Sequence, residues 1–316
     1  MKLKFIYILF FTIFIFSYTA TPIFSLNKEI LSYWQNLIED LRYEDFNTKN
    51  ILNKTYSTLN VKVYNLSFES YGKTRLFGYL SMPAKSGRYP AMLIIHGMGQ
   101  AIDKPETSIA RKGFITLQIH LRGYGRSEGN IRYTRDFPVH GILSKDSWVF
   151  RNLVLDASRG IDMLYRIAET DTDNIIIKGT SMGGGLSLIV GAINDKVTHI
   201  MSDVAFFCNI NKSMNLTNEI PYYRIKEYLL KNNTQRREVF DTIRYYDAMN
   251  LAPFIKGKVL ITGGSKDIIC PVEGLKDVYD RIKSPKNISI TGYRVHSYVD
   301  KFHSDYQLKW FRKNRN

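Results

Sequence analysis

The chain has 316 residues, 44% of them apolar and 23% charged, a composition that excludes a disordered or fibrous protein and suffices for one large domain or two small ones. The formal net charge of +15 invites an acidic partner, but Lys and Arg are spread along the chain apart from a short basic tail at Arg312, Lys313 and Arg315. Zinc-finger spacing, an RNA-binding aromatic signature and a basic helix are all missing, so the charge reads as a solvated basic surface and nucleic acid is excluded as a partner.

At the N-terminus, Lys2 and Lys4 precede an apolar run from Phe5 to Phe16, and small residues follow at Ser17, Ala20 and Ser25. This is the layout of a secretory signal peptide. The run is short of the roughly 20 apolar residues of a membrane span. A leader over residues 1–25 is therefore expected, with the mature domain at 26–316 secreted or periplasmic. The alternative is an uncleaved anchor over residues 5–18, the one route to a membrane. Cys208 and Cys270, the two cysteines, are expected as free, partly buried thiols, since a core of this size needs no disulfide framework and two isolated cysteines make no metal site.

Next, Ile30, Trp34, Leu37, Ile38 and Leu41 fall on one side of a helix. "VKVYNLSFES" and "RLFGYLSMP", joined by "YGK", alternate as a β-hairpin. From Pro90 onward, apolar runs of strand length ("AMLIIH", "ITLQIHL", "NIIIKG", "HIMSDVAF", "KVLITGG", "NISITGY") are mostly separated by helical stretches such as "WVFRNLVLDASRGIDMLYRIAE". That pattern predicts an α/β fold: a mostly parallel central sheet flanked by helices, with the N-terminal helix and hairpin as an extension. The polar and aromatic stretch at about 208–250 interrupts the alternation and reads as a small cap insertion.

"GTSMGG", from Gly179 to Gly184, follows a predicted strand and opens a predicted helix. In that context it reads as the G-x-S-x-G nucleophile elbow of an α/β-hydrolase, with Ser181 raised above the sheet and the helix N-terminus aimed at a developing oxyanion. The scaffold orders its acid and base after the serine, each in a loop following a later strand. Asp267 follows "VLITGG" and His296 follows "ISITGY", so they are the expected acid and base. Asp203 and His303 are the rivals for those two places. "IIHGMG" ends an early strand in the H-G-x pattern of a second oxyanion donor, which assigns the backbone N–H groups of Met98 and Met182 to the oxyanion hole and makes His96 a loop-stabilising histidine. His120, His140 and His199 read as structural. No metal cluster, phosphate loop or dinucleotide fingerprint competes, so neither metal nor cofactor is expected.

The blocks "HGMG", "LRGYGRSEG", "HGILSKDSWVFRNLVLDASRGIDML", "GTSMGGGLSL", "VFDTIRYYDAMNLA" and "GGSKDIICP" resemble, in the same order, those of the acetyl xylan esterase / cephalosporin C deacetylase family, carbohydrate esterase family 7. The resemblance runs over roughly residues 60 to 312. It implies a serine esterase that removes acetyl groups from saccharides or small esters, with Ser181, Asp267 and His296 as nucleophile, acid and base. It also places the family's R-G-Q motif on Arg122, Gly123 and Tyr124. The chain departs from the family pattern at Tyr124 (for glutamine), Met182 (for glutamine), His120 (for aspartate) and Ser297 (for an acidic residue). Family members are often cytoplasmic ring-shaped hexamers, which implies a homo-oligomer, whereas a leader is a further departure. Two alternatives share the elbow: a peptidase of the prolyl-oligopeptidase type, for whose propeller the chain is too short, and a catalytically silent binding protein on the same scaffold.

Overall fold

The computed structural model describes residues 23–100, 102–129, 132–292, 294–296 and 301–315. The first 22 residues of the expected leader lie outside them, as does Ser297. In chain order the first elements are α1 (Ile23–Arg42), β1 (Lys49–Leu52), β2 (Val61–Ser70), β3 (Thr74–Pro83) and β4 (Tyr89–Ile95). Then come α2 (Thr107–Ala110), β5 (Ile115–His120), α3 (Phe150–Tyr165), β6 (Thr170–Thr180), α4 (Met182–Ile193) and β7 (His199–Asp203). Four short helices follow: α5 (Ile210–Leu216), α6 (Tyr222–Lys231), α7 (Arg236–Ile243) and α8 (Ala248–Leu251). The chain closes with β8 (Lys258–Gly264), α9 (Val272–Arg281), β9 (Lys286–Thr291) and α10 (Lys301–Asn314).

The strands form one sheet in the order β1-β2-β3-β5-β4-β6-β7-β8-β9. Pairing is antiparallel from β1 through the β3–β5 contact and parallel from β5 to β9. The predicted α/β architecture with its hairpin extension is therefore observed. β1, an exposed edge strand, had no apolar alternation to reveal it. All five residues of β7 are buried, as a strand covered on both faces requires. Nearly every residue of α4 is buried too, which explains why its sequence is apolar all round rather than striped.

One face of the sheet carries the larger core, which α1 joins through Ile30, Trp34, Ile38 and Leu41. Leu37, predicted on the same side, is only partly buried. The Trp34 indole N–H donates to the Tyr245 carbonyl at 2.7 Å and ties α1 to the turn before α8. On the opposite face Met92, Ile176, Met201 and Leu260 pack under Leu308 and Phe311 of α10.

The register matters most at one edge. Thr180 stands beside Asp203, and Asp203 beside Thr262, so β6 and β7 end level with one another and β8 runs two residues further, to Gly264. Ligands of open parallel sheets bind beyond such carboxyl ends. β7 stops at Asp203, although the apolar run continues to Phe206. Val204 and Phe207 take φ of 40° and 66°, which breaks the extended backbone and turns the chain beneath the elbow.

Candidate active site

Ser181 is the single residue between β6 and α4, with φ 56° and ψ −117°. An L-residue rarely holds such angles unless its surroundings impose them. Backbone packing imposes them here. A Cβ at Gly179 would stand 2.2 Å from the Gly183 carbonyl, and one at Gly183 would stand 2.3 Å from the Ile95 carbonyl. Both outer glycines of the pentapeptide are thus demanded by contacts that no side chain could survive. The Ser181 N–H donates to the Asp203 carbonyl at 2.9 Å, and its own carbonyl accepts from Phe206 N–H at 3.0 Å.

The Ser181 hydroxyl does not cap α4. It lies 2.9 Å from His296 Nε2. On the other side of the ring, Nδ1 is 2.9 Å and 3.1 Å from the two Asp267 oxygens. A carboxylate only accepts, so the ring proton sits on Nδ1 and Nε2 presents its lone pair to the serine O–H. Asp267 Oδ1 also accepts the N–H groups of Ile269 and Cys270, both at 2.9 Å, which fixes the buried carboxylate against the start of its own loop. The structure therefore brings together the three residues predicted from chain order and loop position.

Of the two predicted oxyanion donors, Met98 lines the space at Ser181, and Met182 follows the serine directly in the chain. Met182 opens α4, where a first-turn N–H has no acceptor within the helix and the dipole favours an anion. Met98 lies in the loop after β4, whose shape is held by two bonds: Gly97 N–H to Gln100 Oε1 at 3.0 Å and Gln100 N–H to the Gly97 carbonyl at 3.3 Å. His96 steadies that loop from below. Its Nε2 accepts from Leu121 N–H at 3.3 Å and its Nδ1 faces the Gly97 carbonyl at 2.8 Å, so the proton is on Nδ1. Burial lowers its pKa to about 4, against the opposing pull of the Gly97 carbonyl, and the ring is neutral at neutral pH.

Arg122 does not reach Ser181. Its guanidinium meets Asp156 of α3 at 2.6 Å and 2.9 Å, and a further N–H donates to the Tyr71 carbonyl at 3.1 Å. Gly123, with φ 79°, lets the chain turn so that Tyr124 lies against the His96 ring at 4.5 Å between centroids. Within the R-G-Y triplet, Tyr124 is the residue that touches His96, while Arg122 is turned to Asp156. His120, in place of the family's aspartate, accepts Arg126 N–H on Nδ1 at 2.9 Å.

The side chain of neither rival meets the Ser181 hydroxyl, which faces His296. Asp203 is gripped by Arg294, and His303, on α10, has its Nε2 3.4 Å from Asp203 Oδ1. His199 bridges Thr198 and the carbonyl of Asn314, a structural role. Cys208 and Cys270 are free and fully buried rather than partly so, and burial pushes both thiols up.

A family model described as acetyl xylan esterase (AXE1) matches residues 18–314. The chain belongs to the acetyl xylan esterase family. Membership makes it an esterase of the α/β-hydrolase fold that hydrolyses acetyl esters of carbohydrate. An acetyl esterase, Axe7A, from Xylanibacter ruminicola is 26% identical to this esterase over 314 residues, 94% of this chain and 68% of that protein. Among solved structures, an acetyl xylan esterase from Paenibacillus sp. R4 superposes with a TM-score of 0.83 at 22% identity, over 90% of this chain and 94% of that one. Acetyl xylan esterase 1 from Thermoanaerobacterium sp. JW/SL YS485 gives 0.82 at 24% identity, over 90% and 93%. The acylaminoacyl peptidase of Pyrococcus horikoshii shares the fold at a TM-score of 0.62 and 16% identity, but this esterase spans only 43% of that chain.

Above Ser181 the esterase has a cavity of about 410 Å³, walled by Met98, Tyr133, Ile220 and Ile269 around the serine and His296. Tyr133 and Ile220 were not predicted. They come from segments without periodicity, and only their return over the sheet edge brings them to the nucleophile. Among the described residues no cluster of His, Cys, Asp or Glu could hold a metal ion, and no helix is long and apolar enough to cross a membrane.

Proposed function

We propose that Ser181 is the nucleophile, His296 the general base and Asp267 its orienting acid, and that the esterase acts outside the cytoplasm after a leader over residues 1–25 delivers it there. The observation that carries the assignment is the unbroken hydrogen-bonded line from Ser181 Oγ through His296 to Asp267, ending in a cavity open to substrate.

Ser181 Oγ attacks the ester carbonyl carbon as His296 Nε2 takes its proton, and the carbonyl electrons move to oxygen. The Met98 and Met182 N–H groups hold that oxyanion, each worth about 3 kcal/mol by analogy with measured donors. Collapse of the intermediate breaks the bond to the sugar oxygen, which leaves with the proton held by His296. Water then attacks the acetyl-serine by the same route, giving acetate and free Ser181. The 208–250 insertion acts as a cap: Ile220 and Pro221 line the cavity, so this segment sets the size of ester admitted.

Chromogenic acetate, butyrate and aminoacyl-anilide substrates, each tried on the wild type and on Ser181→Ala, test the reading. Acetate turnover that falls by at least about 10³-fold in the variant is the expected result. Turnover of the anilide alone would reassign the protein as a peptidase, and turnover of nothing would leave a binding protein.

A further inference from the structure

A buried, bidentate ion pair near the nucleophile takes no part in the chemistry above. Asp203 ends β7, and Arg294 stands two residues before His296. The guanidinium donates from Nη1 and Nη2 to the two carboxylate oxygens, both at 2.8 Å. Thr262 Oγ1 donates to Oδ1 at 2.6 Å, and His303 Nε2 approaches the same oxygen at 3.4 Å. The two charged side chains are 5% and 1% exposed. Well-packed apolar residues would stabilise such a position about as well as a buried pair does, so stability alone gives a weak reason for it.

Its backbone connections suggest another reason. The Asp203 carbonyl accepts the Ser181 N–H, and Phe206, three residues on, donates to the Ser181 carbonyl. The segment that carries Asp203 therefore holds the nucleophile's peptide groups on both sides, with Val204 at φ 40° between them. At the other end, the Arg294 carbonyl accepts Lys266 N–H at 3.2 Å, next to Asp267. A Cβ at Gly264 would stand 2.0 Å from that carbonyl, so the two loops are in backbone contact. At its start the base loop is also tied to Ser265, whose N–H donates to the Thr291 carbonyl at 3.1 Å and whose hydroxyl donates to the Gly292 carbonyl at 2.8 Å. Nearer the histidine, Val295 is 50% exposed, and Arg294 is the buried one among the described residues of the segment.

We propose that Arg294 is a positioning residue for the base: its fork on Asp203 locks the nucleophile, acid and base loops into one unit and so holds His296 at hydrogen-bond distance from Ser181 and Asp267 together. The pair itself touches no reacting atom. The inference rests on the assignment of His296 as base, and the test separates the two. An apolar side chain at position 294 would free the loop, and a displacement of the base of about 1 Å is enough to lower kcat about 10²-fold.

Steady-state kinetics with an aryl acetate on the full-length protein, in parallel with circular dichroism and thermal melting, reads this out. Arg294→Met is expected to lower kcat about 10²-fold while KM stays within about threefold. Arg294→Lys, which keeps the charge but loses the fork, is expected to recover part of that loss. The deciding variant is Arg294→Met placed in a His296→Ala background. If Arg294 acts through His296, the pair should fall no more than about twofold below His296→Ala alone. Equal losses in both backgrounds, or a loss confined to KM, would overturn the proposal. Should Arg294→Met fail to fold, Arg294→Lys decides: a lowered kcat at unchanged KM supports the brace, and wild-type kcat sinks it. A His296→Ala protein that keeps wild-type kcat would instead refute the base assignment, and the inference with it.

Discussion

Two carboxylates at the ends of adjacent strands each stand beside a histidine, and their surroundings separate them. Asp267 accepts two backbone N–H groups and the Nδ1–H of His296, whose other nitrogen faces Ser181 at the floor of a cavity. Asp203 is filled by a bidentate guanidinium, a threonine hydroxyl and His303. Burial works against its charge, but His303 and Arg294 outweigh that and hold the carboxyl below its usual range. A carboxylate–histidine pair is equipped for general-base chemistry only when the second ring nitrogen meets a nucleophile. Residue type does not distinguish the two pairs; access does.

The comparison can be broken most directly at Asp267. Asp267→Asn offers an amide N–H where the imidazole needs an acceptor, which favours the wrong tautomer, and kcat should drop about 10⁴-fold at neutral pH. A loss below about tenfold would show that Asp267 does not orient the base.

A buried histidine with no carboxylate sharpens the contrast. His96, held neutral with a pKa of about 4, is depressed relative to the unfolded chain, which takes up its proton first as the pH falls. The folded state therefore loses stability from about pH 6.5 down to about 4, by up to about 3 kcal/mol. His96→Gln should flatten that part of the pH dependence, read as unfolding free energy in urea at pH 7 and pH 4.5. An unchanged slope would mean that other groups carry it.

The smallest expected effect is at His303. His303→Ala should keep kcat within about fivefold of wild type, because Arg294 and Thr262 still hold Asp203. A variant as inactive as His296→Ala would exchange the roles of the two histidines.

Much of the candidate site was legible because its determinants are short-range. A Cβ at Gly179 would meet Gly183, and that clash is built into five consecutive residues, whereas the one at Gly183 arises against the end of β4. Asp267 and His296 could be placed by the order of loops after apolar strands. The strand pattern predicted the sheet, but not the left-handed turns that Val204 and Phe207 take just past β7, a choice their side chains do not encode.

Local pattern alone thus determined the α/β sheet, the elbow and the sequence positions of the three residues we assign to catalysis, since strand alternation, helical period and the Gly179–Gly183 contact all act within a few residues. Tertiary structure decided the rest. It placed Arg294 on Asp203 across 91 residues, turned Arg122 away from the nucleophile to Asp156, and brought Tyr133 and Ile220 over Ser181. Each of these depends on strand register and on how loops return across the sheet edge, and no periodicity in the chain specifies either.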